Sequence, residues 1–541
     1  MSARDARGRR MRCMHRHRTS LPRQYGSLSI SCREVPVSAK SSVAPAVVWF
    51  RDDLRVTDQP ALTRAVASGR PLVCVYLDDT GEGAGRALGG AARWWLHGSL
   101  AALDAALARH GGRLLLLRGD AQREIERVVH DTGAAAVYWN RRYAQPQRDA
   151  DAALKATLKA RGLEVESSNG SLLNEPWEVM TGAGTPFQIF TAYWRAVRRD
   201  RTVAAPLPEP ERIAFHPWPA GMRERALALD TLALRPHAPD WAGGLRDAWP
   251  TPDEAGAHAG LDAFVHASLA GYADSRDRPG QPATSRLSPF LRFGNVSPRQ
   301  VWHAVQGAAQ AGGAACAAGA EKFLSELGWR EFSHVLLYHF PALATDNFRA
   351  QFDAMPWRDD PAALRAWQRG LTGYPLVDAG MRELWTTGWM HNRVRMVVAS
   401  FLVKHLLIDW RVGERWFHDT LVDADAANNP ANWQWVAGCG ADAAPYFRIF
   451  NPVTQGRKFD PQGAYVRRWV PELAGLDAAA IHAPWEASTA QLAAAGVRLA
   501  LDYPAPIVDH DGARRRALDA LATLPKRHPA PPSAAGHPRA V

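Results

Sequence analysis

One short segment of the chain places three different side chains on the same face of a predicted helix. Asn392, Arg395 and Met396 are spaced i, i+3 and i+4 within the sequence TGWMHNRVRM, and residues at this spacing are neighbours on a helix surface. An amide or a guanidinium buried there without a partner would cost a few kcal/mol. The face is therefore predicted to meet a polar, planar group.

A second segment carries groups suited to an anion. The sequence TSRLS, from Thr284 to Ser288, places three hydroxyls and one guanidinium directly before Pro289. Serine and threonine favour the first position of a helix, where exposed backbone N–H groups can bind a phosphate. This segment is a candidate phosphate-binding helix start.

Acidic and sulfur-containing residues do not indicate a metal site. Asp423 and Asp425 form a D-x-D pair, but asparagines rather than further carboxylates follow at ligand spacing. The five cysteines are scattered and contain no C-x-x-C, which disfavours a zinc site, an iron–sulfur cluster or a disulfide framework. They are Cys13, Cys32, Cys74, Cys316 and Cys439. A reducing, cytoplasmic location is expected.

Two pairs of residues could shape a cavity for a substrate. Trp433 and Trp435 are separated by two positions, so on a helix they point about 200° apart and one indole can face a ligand while the other faces a cavity. Glu326 and Trp329 are spaced i, i+3 and share one helix face. Taken alone, this second pair also fits a surface carboxylate beside a core indole.

These segments resemble the flavin domain of the DNA photolyase and cryptochrome family. The resemblance also includes TGYPLVDAGMR, DADAANNPANWQW and FRIFNPVTQG, all between Leu371 and Phe459. It implies FAD as the cofactor, active in its reduced form, with an Arg395–Asp423 ion pair beside the ring and Asn429 facing flavin N5. The residues expected to contact FAD are Tyr272, Thr284, Ser285, Arg286, Leu287, Ser288, Phe323, Glu326, Arg330, Trp389, Asn392, Arg395, Asp423, Ala424, Asp425 and Asn429.

The same resemblance implies light-driven repair of cyclobutane pyrimidine dimers in damaged DNA, most like a class I-type enzyme. His391 stands alone where enzymes that repair (6-4) photoproducts carry two histidines. The expected catalytic residues are Glu326, Trp329, Asn392, Met396 and Trp435, and the expected electron relay is Trp433, Trp410 and Trp357. Expected DNA contacts are Arg276, Trp329, Arg330, Asn392, Arg393, Trp435, Arg448, Gln455 and Lys458. A cryptochrome-type photoreceptor and a non-catalytic flavoprotein or DNA-binding module are the alternatives.

The elements that must position these residues divide the chain into two predicted domains. Short apolar runs at 47–50, 72–77, 114–117 and 136–139 alternate with helical stretches, which predicts a parallel α/β sheet, and 163–166 could add a fifth strand. We predict an α/β antenna domain over 45–176, a Pro-rich linker over 177–250 and an all-α FAD-binding domain over 251–525. The Ala/Gly-rich stretch 307–320 is predicted to be a loop or a frayed helix end.

Charge and composition limit the remaining inferences. The net charge is +11, but residues 1–40 hold ten Lys or Arg and only two acids, so DNA affinity must come from a local patch. Residues 1–44 are expected to be a disordered basic tail, an early-assigned start or a targeting segment, and 526–541 a disordered tail. No apolar run has transmembrane length, and we expect a monomer without an obligatory protein partner.

A second, light-harvesting chromophore is possible, but its identity is open. Pro146 and Gln147 stand where folate-binding relatives carry an Asn-Glu pair, which puts a folate in doubt. A deazaflavin, another chromophore or none remain alternatives. The glycine-rich segment 81–90 fails the dinucleotide-binding pattern G-x-G-x-x-G and is predicted to be a mobile loop.

Overall fold

Five apolar runs near the start of the chain form a parallel sheet. In the computed structural model, which describes residues 43–443 and 447–525, the strand order is β3-β2-β1-β4-β5 and all pairs are parallel. The strands are β1 (Ala46–Phe50), β2 (Leu72–Asp79), β3 (Leu114–Gly119), β4 (Ala136–Asn140) and β5 (Glu164–Ser168). The predicted α/β class is confirmed, including the fifth strand.

Helices cover both faces of this sheet. They are α1 (Pro60–Ala67), α2 (Gly90–Arg109), α3 (Ala121–Thr132) and α4 (Gln145–Ala160). Successive β1 residues point to opposite sides, so Val48 packs in the core with α1 and α2, whereas Val47 packs in the core with α3 and α4. Burial on both faces explains why the strands read as continuous apolar runs rather than as alternating ones.

The segment predicted to be an irregular linker contains three helices, α5 (Phe190–Asp200), α6 (Ala220–Arg225) and α7 (Gly243–Ala248). Phe190 and Trp194 of α5 are buried, and their rings pack on aromatic residues of the helical part. The segment differs from a free linker because its aromatic residues belong to the core. Its many prolines lie mostly between the helices.

The rest of the chain is helical, as predicted. Its helices are α8 (Glu254–Ala267), α9 (Tyr272–Ser275), α10 (Ser288–Arg292), α11 (Pro298–Ala311), α12 (Gly313–His339), α13 (Pro361–Arg369), α14 (Pro375–Thr387), α15 (Asn392–Ser400), α16 (Trp410–Thr420), α17 (Asn428–Ala437), α18 (Pro452–Phe459), α19 (Ala464–Trp469), α20 (Thr489–Ala495) and α21 (His510–Ala522). A π-helical turn, Phe401–His405, follows α15.

The prediction of a loop or a frayed helix end at 307–320 was wrong, because residues on both sides of Gly312 are helical. Helix α11 continues to Ala311 and α12 begins at Gly313. Only Gly312 separates the two helices, and Gly313 has a left-handed φ of 73°. Alanine has the highest helix propensity, so the alanines on either side extend the helices and the two glycines alone interrupt them.

The α/β and helical parts share one buried core. The indole of Trp95 on α2 donates to Asn295 at 3.0 Å and packs edge-on against Phe290 at a centroid distance of 4.9 Å. Arg55, which is 1% exposed, donates to the carbonyl of Gly294 at 2.9 Å. These contacts fix the position of α10, and thereby of the candidate phosphate-binding segment, relative to the sheet.

Within the described residues, no helix is both long enough and apolar enough to cross a lipid bilayer. The tails predicted at 1–44 and 526–541 lie outside the described residues, except for Val43 and Ala44.

Candidate functional site

A cluster that we call the polar floor consists of Ser288, Trp389, Arg395 and Asp423. Arg395 donates two hydrogen bonds to the carboxylate of Asp423, at 3.1 and 2.8 Å, and a third to the carbonyl of Met390 at 2.7 Å. The Ser288 hydroxyl donates to the same carboxylate at 2.6 Å, and the Trp389 indole donates to that hydroxyl at 3.3 Å. The predicted Arg395–Asp423 pair is thus formed.

Local sequence explains how α15 brings this arginine to the floor. His391 precedes the helix, and its Nδ1 accepts the backbone N–H of Arg393 at 3.2 Å. With the start of α15 fixed in this way, Arg395 lies in the first turn, and its side chain can reach both Met390 and Asp423. The carboxylate of Asp423 is only 3% exposed, whereas the guanidinium is 24% exposed and can therefore meet a ligand.

Arg286 is the strongest indication that the floor receives an anion. Its φ of 52° is left-handed, which is uncommon for a residue with a side chain and typical of functional sites. The guanidinium lies over the rings of Trp249 and Trp389, with its carbon 4.1 and 5.1 Å from their centroids. Its Nε atom is buried and has no hydrogen-bond partner among the described residues. A diphosphate would supply that partner.

Several of the remaining predicted cofactor contacts are buried or half-buried. The ring of Phe323 packs edge-on against Tyr272 at 5.4 Å, so both aromatic positions are present side by side. Leu287 is buried, while Thr284 and Ser285 are half-buried. Helix α10 has only five residues, so its dipole is small and positive potential comes instead from side chains such as Arg286.

The aromatic rim, defined as Glu326, Trp329, Asn392, Met396 and Trp435, is more open than the floor. Asn392 is exposed, and Trp329, Met396 and Trp435 are half-buried. Helix α15 belongs to both clusters, because it contributes Arg395 to the floor and Asn392 and Met396 to the rim. One helix therefore connects the two parts of the predicted site.

Ion pairs connect both α12 and α15 to the segment that follows α9. The Arg276 guanidinium contacts the Glu326 carboxylate, and the neighbouring Asp277 pairs with Arg393 at 2.7 Å. Arg393 also lies over the ring of Phe459, at 4.4 Å. Two arginines predicted to contact DNA thus already have carboxylate partners in this structure.

Phe190 supports the rim through Trp329, and it was not among the predicted site residues. Its ring stacks on Trp329 with a centroid distance of 3.8 Å and an angle of 13°. On the other side, the Trp435 indole donates to the carbonyl of Asp442 at 3.1 Å. Phe190 lies 139 positions from Trp329, so no local pattern could have identified this contact.

Two further predicted cofactor contacts, Asp425 and Asn429, form hydrogen bonds within the protein. Asp425 accepts hydrogen bonds from the backbone N–H groups of Ala427 and Asn428, at 2.7 and 2.5 Å, and so stabilises the start of α17. Asn429 donates from Nδ2 to the Glu414 carbonyl at 3.0 Å and to its carboxylate at 2.8 Å. The Asn429 oxygen remains as the acceptor available to a ligand. Ala424 contributes a carbonyl, which accepts from Arg292 at 3.0 Å.

The predicted relay tryptophans lie in the helical part. Trp433 is buried and packs edge-on against Phe417 at 4.9 Å and Trp367 at 6.3 Å. Trp410 is also buried and donates to Asn347 at 2.9 Å, and Trp357 is half-buried. Trp367 was not predicted, because it stands outside the recognised segments.

The other residues predicted to contact DNA differ in how exposed they are. Arg330 is 13% exposed and donates to the carbonyl of Ser171 at 2.8 Å, so the structure places its guanidinium against the α/β part rather than at the rim. Lys458 and Gln455 lie on α18, and Lys458 is exposed. Arg448 precedes that helix, with its guanidinium 5.9 Å from the ring centroid of Phe450.

Among the described residues, no group of three or more His, Cys, Asp or Glu side chains could hold a metal ion. Cys74, Cys316 and Cys439 have free thiols. The donors around the polar floor are guanidinium, hydroxyl and indole groups, which suit an anionic organic ligand.

Comparisons with known proteins agree with this geometry. A family described as DNA photolyase matches residues 46–211, and one described as FAD binding domain of DNA photolyase matches 323–523. Deoxyribodipyrimidine photo-lyase of Agrobacterium fabrum is 51% identical over 89% of this chain and 98% of its own length. Cryptochrome-1 of Arabidopsis thaliana is 39% identical over 90% of this chain and 72% of its own length. The crystal structure of a bacterial class III photolyase from Agrobacterium tumefaciens superposes with a TM-score of 0.86 at 50% identity, covering 90% of this chain and 99% of the other.

Proposed function

Because the chain belongs to the DNA photolyase family, we propose that its site performs light-driven repair of cyclobutane pyrimidine dimers in DNA, as a carbon–carbon lyase. The observation that carries this proposal is the continuity of floor and rim on α15. Arg395 of the floor and Asn392 and Met396 of the rim all belong to this one helix. A cofactor on the floor would therefore lie directly against a substrate at the rim.

FAD is the cofactor that fits the floor. When bound in its reduced form and excited by light, it supplies an electron to the dimer and takes the electron back after the ring has split. Arg286 would bind the diphosphate, since its Nε lacks a partner among the described residues. Arg395 would place a positive charge beside the flavin ring, and its hydrogen bonds to Asp423 would keep the guanidinium in position.

The rim would hold a dimer that has left the DNA helix. Photolyases are a standard example of enzymes that flip their target bases out of the stack, and a dimer stacks poorly, so flipping it costs less. Trp329 and Trp435 would stack on the two fused bases and exclude water, with Met396 packing beneath them. Glu326 would hydrogen-bond the bases, for which its carboxylate must exchange its contact with Arg276.

DNA affinity would come from a local group of cations around the rim. Lys458 and Arg448 are the candidates for phosphate contacts, and Arg276 would gain a phosphate partner as Glu326 turns to the bases. Each phosphate contact releases counterions, so affinity for dimer-containing DNA should fall as salt increases.

Trp433, Trp410 and Trp357 are proposed to reduce the oxidised cofactor in light without taking part in each repair cycle. Replacing Trp433 by phenylalanine should strongly slow photoreduction but leave repair intact once the flavin has been reduced chemically. Photoreduction at the wild-type rate in this variant would exclude Trp433 from the relay, and a loss of repair by the chemically reduced variant would contradict a role confined to reduction.

A second chromophore could bind at the carboxyl ends of β1 and β2. A small cavity there is lined by Trp49, Arg51, Tyr76 and Arg142, among others, and holds about 40 Å³. Ligand pockets are usually ~300 Å³ or more, so a chromophore would have to displace side chains. Gln147, at the position expected to bind a folate, instead donates to the Ala84 carbonyl at 2.9 Å.

We propose that the protein is a class III enzyme rather than the class I-type enzyme that the motifs suggested. Half of its residues are identical to those of the class III structure, over nearly the whole length of that chain. A monomer in the cytoplasm remains the proposed state.

Illumination of two oligonucleotides tests the proposed reaction. The chemically reduced protein should repair an oligonucleotide with one cyclobutane dimer in light and not in darkness, and should leave a (6-4) photoproduct intact. A flavin-loaded protein that binds the dimer but does not repair it would instead favour a cryptochrome-type photoreceptor.

A further inference from the structure

The glycine-rich segment between β2 and α2, predicted to be a mobile loop, is attached to α16 of the helical part. His418 Nε2 lies 2.8 Å from the carbonyl of Ala87, and the backbone N–H of Gly90 donates to Asp419 at 2.8 Å. A Cβ atom on Gly89 would lie 2.2 Å from the carbonyl oxygen of His418. Only glycine permits this approach, so the segment is shaped to fit α16.

Arg86 reaches from this segment into the helical part. Its NH1 group donates to both carboxylate oxygens of Glu414, at 2.7 and 2.9 Å. The Glu414 side chain is 3% exposed, whereas that of Arg86 is 40% exposed. A carboxylate with so little contact with water requires a cation or several donors. Arg86 is the cation that pairs with it.

Glu414 in turn fixes the amide of Asn429. Both hydrogen bonds donated by Asn429 Nδ2 go to Glu414, one to its carbonyl and one to Oε1, at 3.0 and 2.8 Å. An amide nitrogen has two hydrogens, so both are used. The amide therefore cannot turn over without breaking both bonds, and its oxygen is the atom presented on the opposite side.

We propose that Arg86 is a positioning residue that tunes the reduction potential of the bound flavin through Glu414 and Asn429. The inference rests on the proposed function, because it takes Asn429 to face flavin N5. An oxygen presented there accepts a hydrogen bond from N5–H, which only the reduced ring carries. Arg86 also neutralises Glu414, so the reduced, negatively charged ring does not meet an uncompensated carboxylate.

Substitution of Arg86 should therefore make flavin reduction less favourable. In Arg86→Gln, the Glu414 carboxylate loses its cation, so its repulsion of the reduced, negatively charged ring increases. We expect the equilibrium constant for reduction to fall about tenfold, which for a two-electron couple is a shift of about 30 mV to lower potential. Arg86→Lys keeps the charge and should recover most of the wild-type value.

Spectroelectrochemical titration of the flavin-loaded proteins in mildly alkaline buffer tests this inference. The matched control is Asp419→Asn, which weakens the attachment of the same segment without touching Glu414 and should leave the potential unchanged. In a Glu414→Gln background, the further change Arg86→Gln should have little effect, because the charge through which Arg86 acts is absent.

An unchanged potential in Arg86→Gln would overturn the inference. So would an equal shift in Asp419→Asn, which would mean that attachment of the segment matters rather than the charge. Failure of the proposed function has a different sign: a wild-type protein that binds no FAD would give no flavin signal from which a potential could be measured.

Discussion

At the polar floor, the buried carboxylate of Asp423 has its donors within the protein, from Arg395 and Ser288. At the aromatic rim, Trp329 and Trp435 present half-buried indoles, and Asn392 is exposed. The floor is thus a preformed polar surface for one ligand that stays, whereas the rim keeps apolar surface available for a ligand that enters and leaves. This contrast predicts that changes to the floor reduce flavin content and stability, while changes to the stacking residues of the rim, Trp329 and Trp435, spare both and reduce DNA binding.

The largest effect should come from Asp423→Ala. The change leaves the Arg395 guanidinium without its carboxylate, and breaking a buried ion pair typically costs ~3–5 kcal/mol. We expect a protein with a much lower free energy of unfolding in urea that is purified without flavin. The matched control is Asp502→Ala, since Asp502 pairs with Arg498 at the surface and its loss should change little. Normal flavin content in Asp423→Ala would show that the polar floor does not bind the flavin.

Glu331, next in sequence to Arg330 behind the rim, should make stability depend on pH. Burial raises the pKa of its carboxyl from an ordinary 4.5 to about 7, although Arg330 and the N–H groups of Asn174 and Leu173 oppose the rise. The folded protein therefore holds this proton more tightly than the unfolded chain. Binding of this proton adds about 3 kcal/mol to the free energy of unfolding. That stabilisation is fully present below about pH 4.5 and is lost as the pH rises through 7.

Glu331→Gln should remove that part of the pH dependence. Urea unfolding of both proteins between acidic and neutral pH measures it, and the free energy of the variant should fall less steeply with pH than that of the wild type. Parallel curves would show that the Glu331 carboxyl does not hold the proton. Flavin content should be equal in both, because Glu331 belongs to neither the floor nor the rim.

Trp329→Ala separates the rim from the floor most clearly. Stacking of one base on an aromatic side chain contributes ~1–3 kcal/mol, so affinity for dimer-containing DNA should fall by roughly tenfold or more while flavin content stays normal. Trp385→Ala is the control, because Trp385 is 61% exposed and outside the site. Fluorescence anisotropy with a labelled oligonucleotide measures the affinity. Loss of flavin from Trp329→Ala would contradict the division into floor and rim.

A smaller effect is expected from Phe190→Leu, which removes the ring stacked behind Trp329. Aromatic pairs contribute ~0.5–1.5 kcal/mol beyond their buried area, so dimer affinity should fall a few-fold, with flavin unchanged. Phe187→Leu serves as the control, since Phe187 packs on Tyr193 instead. Equal affinities for the two variants would mean that Phe190 does not position Trp329.

The floor was more predictable from sequence than the support of the rim. Ser288, Arg395 and Asp423 occur in short segments that carry the family resemblance, and the strands of the sheet are uninterrupted apolar runs. The stack of Phe190 on Trp329 and the Arg86–Glu414 pair join residues 139 and 328 positions apart. The periodicity of apolar residues along the sequence cannot predict such contacts, because they depend on how the α/β and helical parts pack.

Local helix propensity was misjudged in one place, and the packing role of one glycine was missed. The alanines around Gly312 were expected to fray, yet they continue both helices because helix propensity outweighs the lack of apolar periodicity. The segment 81–90 was expected to be mobile because of its glycines. In the structure, Gly89 instead permits a close approach to His418, so this glycine serves packing.

Absorbance of the flavin-loaded, reduced protein mixed with dimer-containing DNA shows whether light drives repair at this site. During blue illumination, the absorbance of the restored thymine bases should rise, the dark sample should not change, and the flavin spectrum should be the same before and after. A protein that stays colourless after refolding with FAD, or intact dimers after illumination of the reduced flavoprotein, would contradict the account.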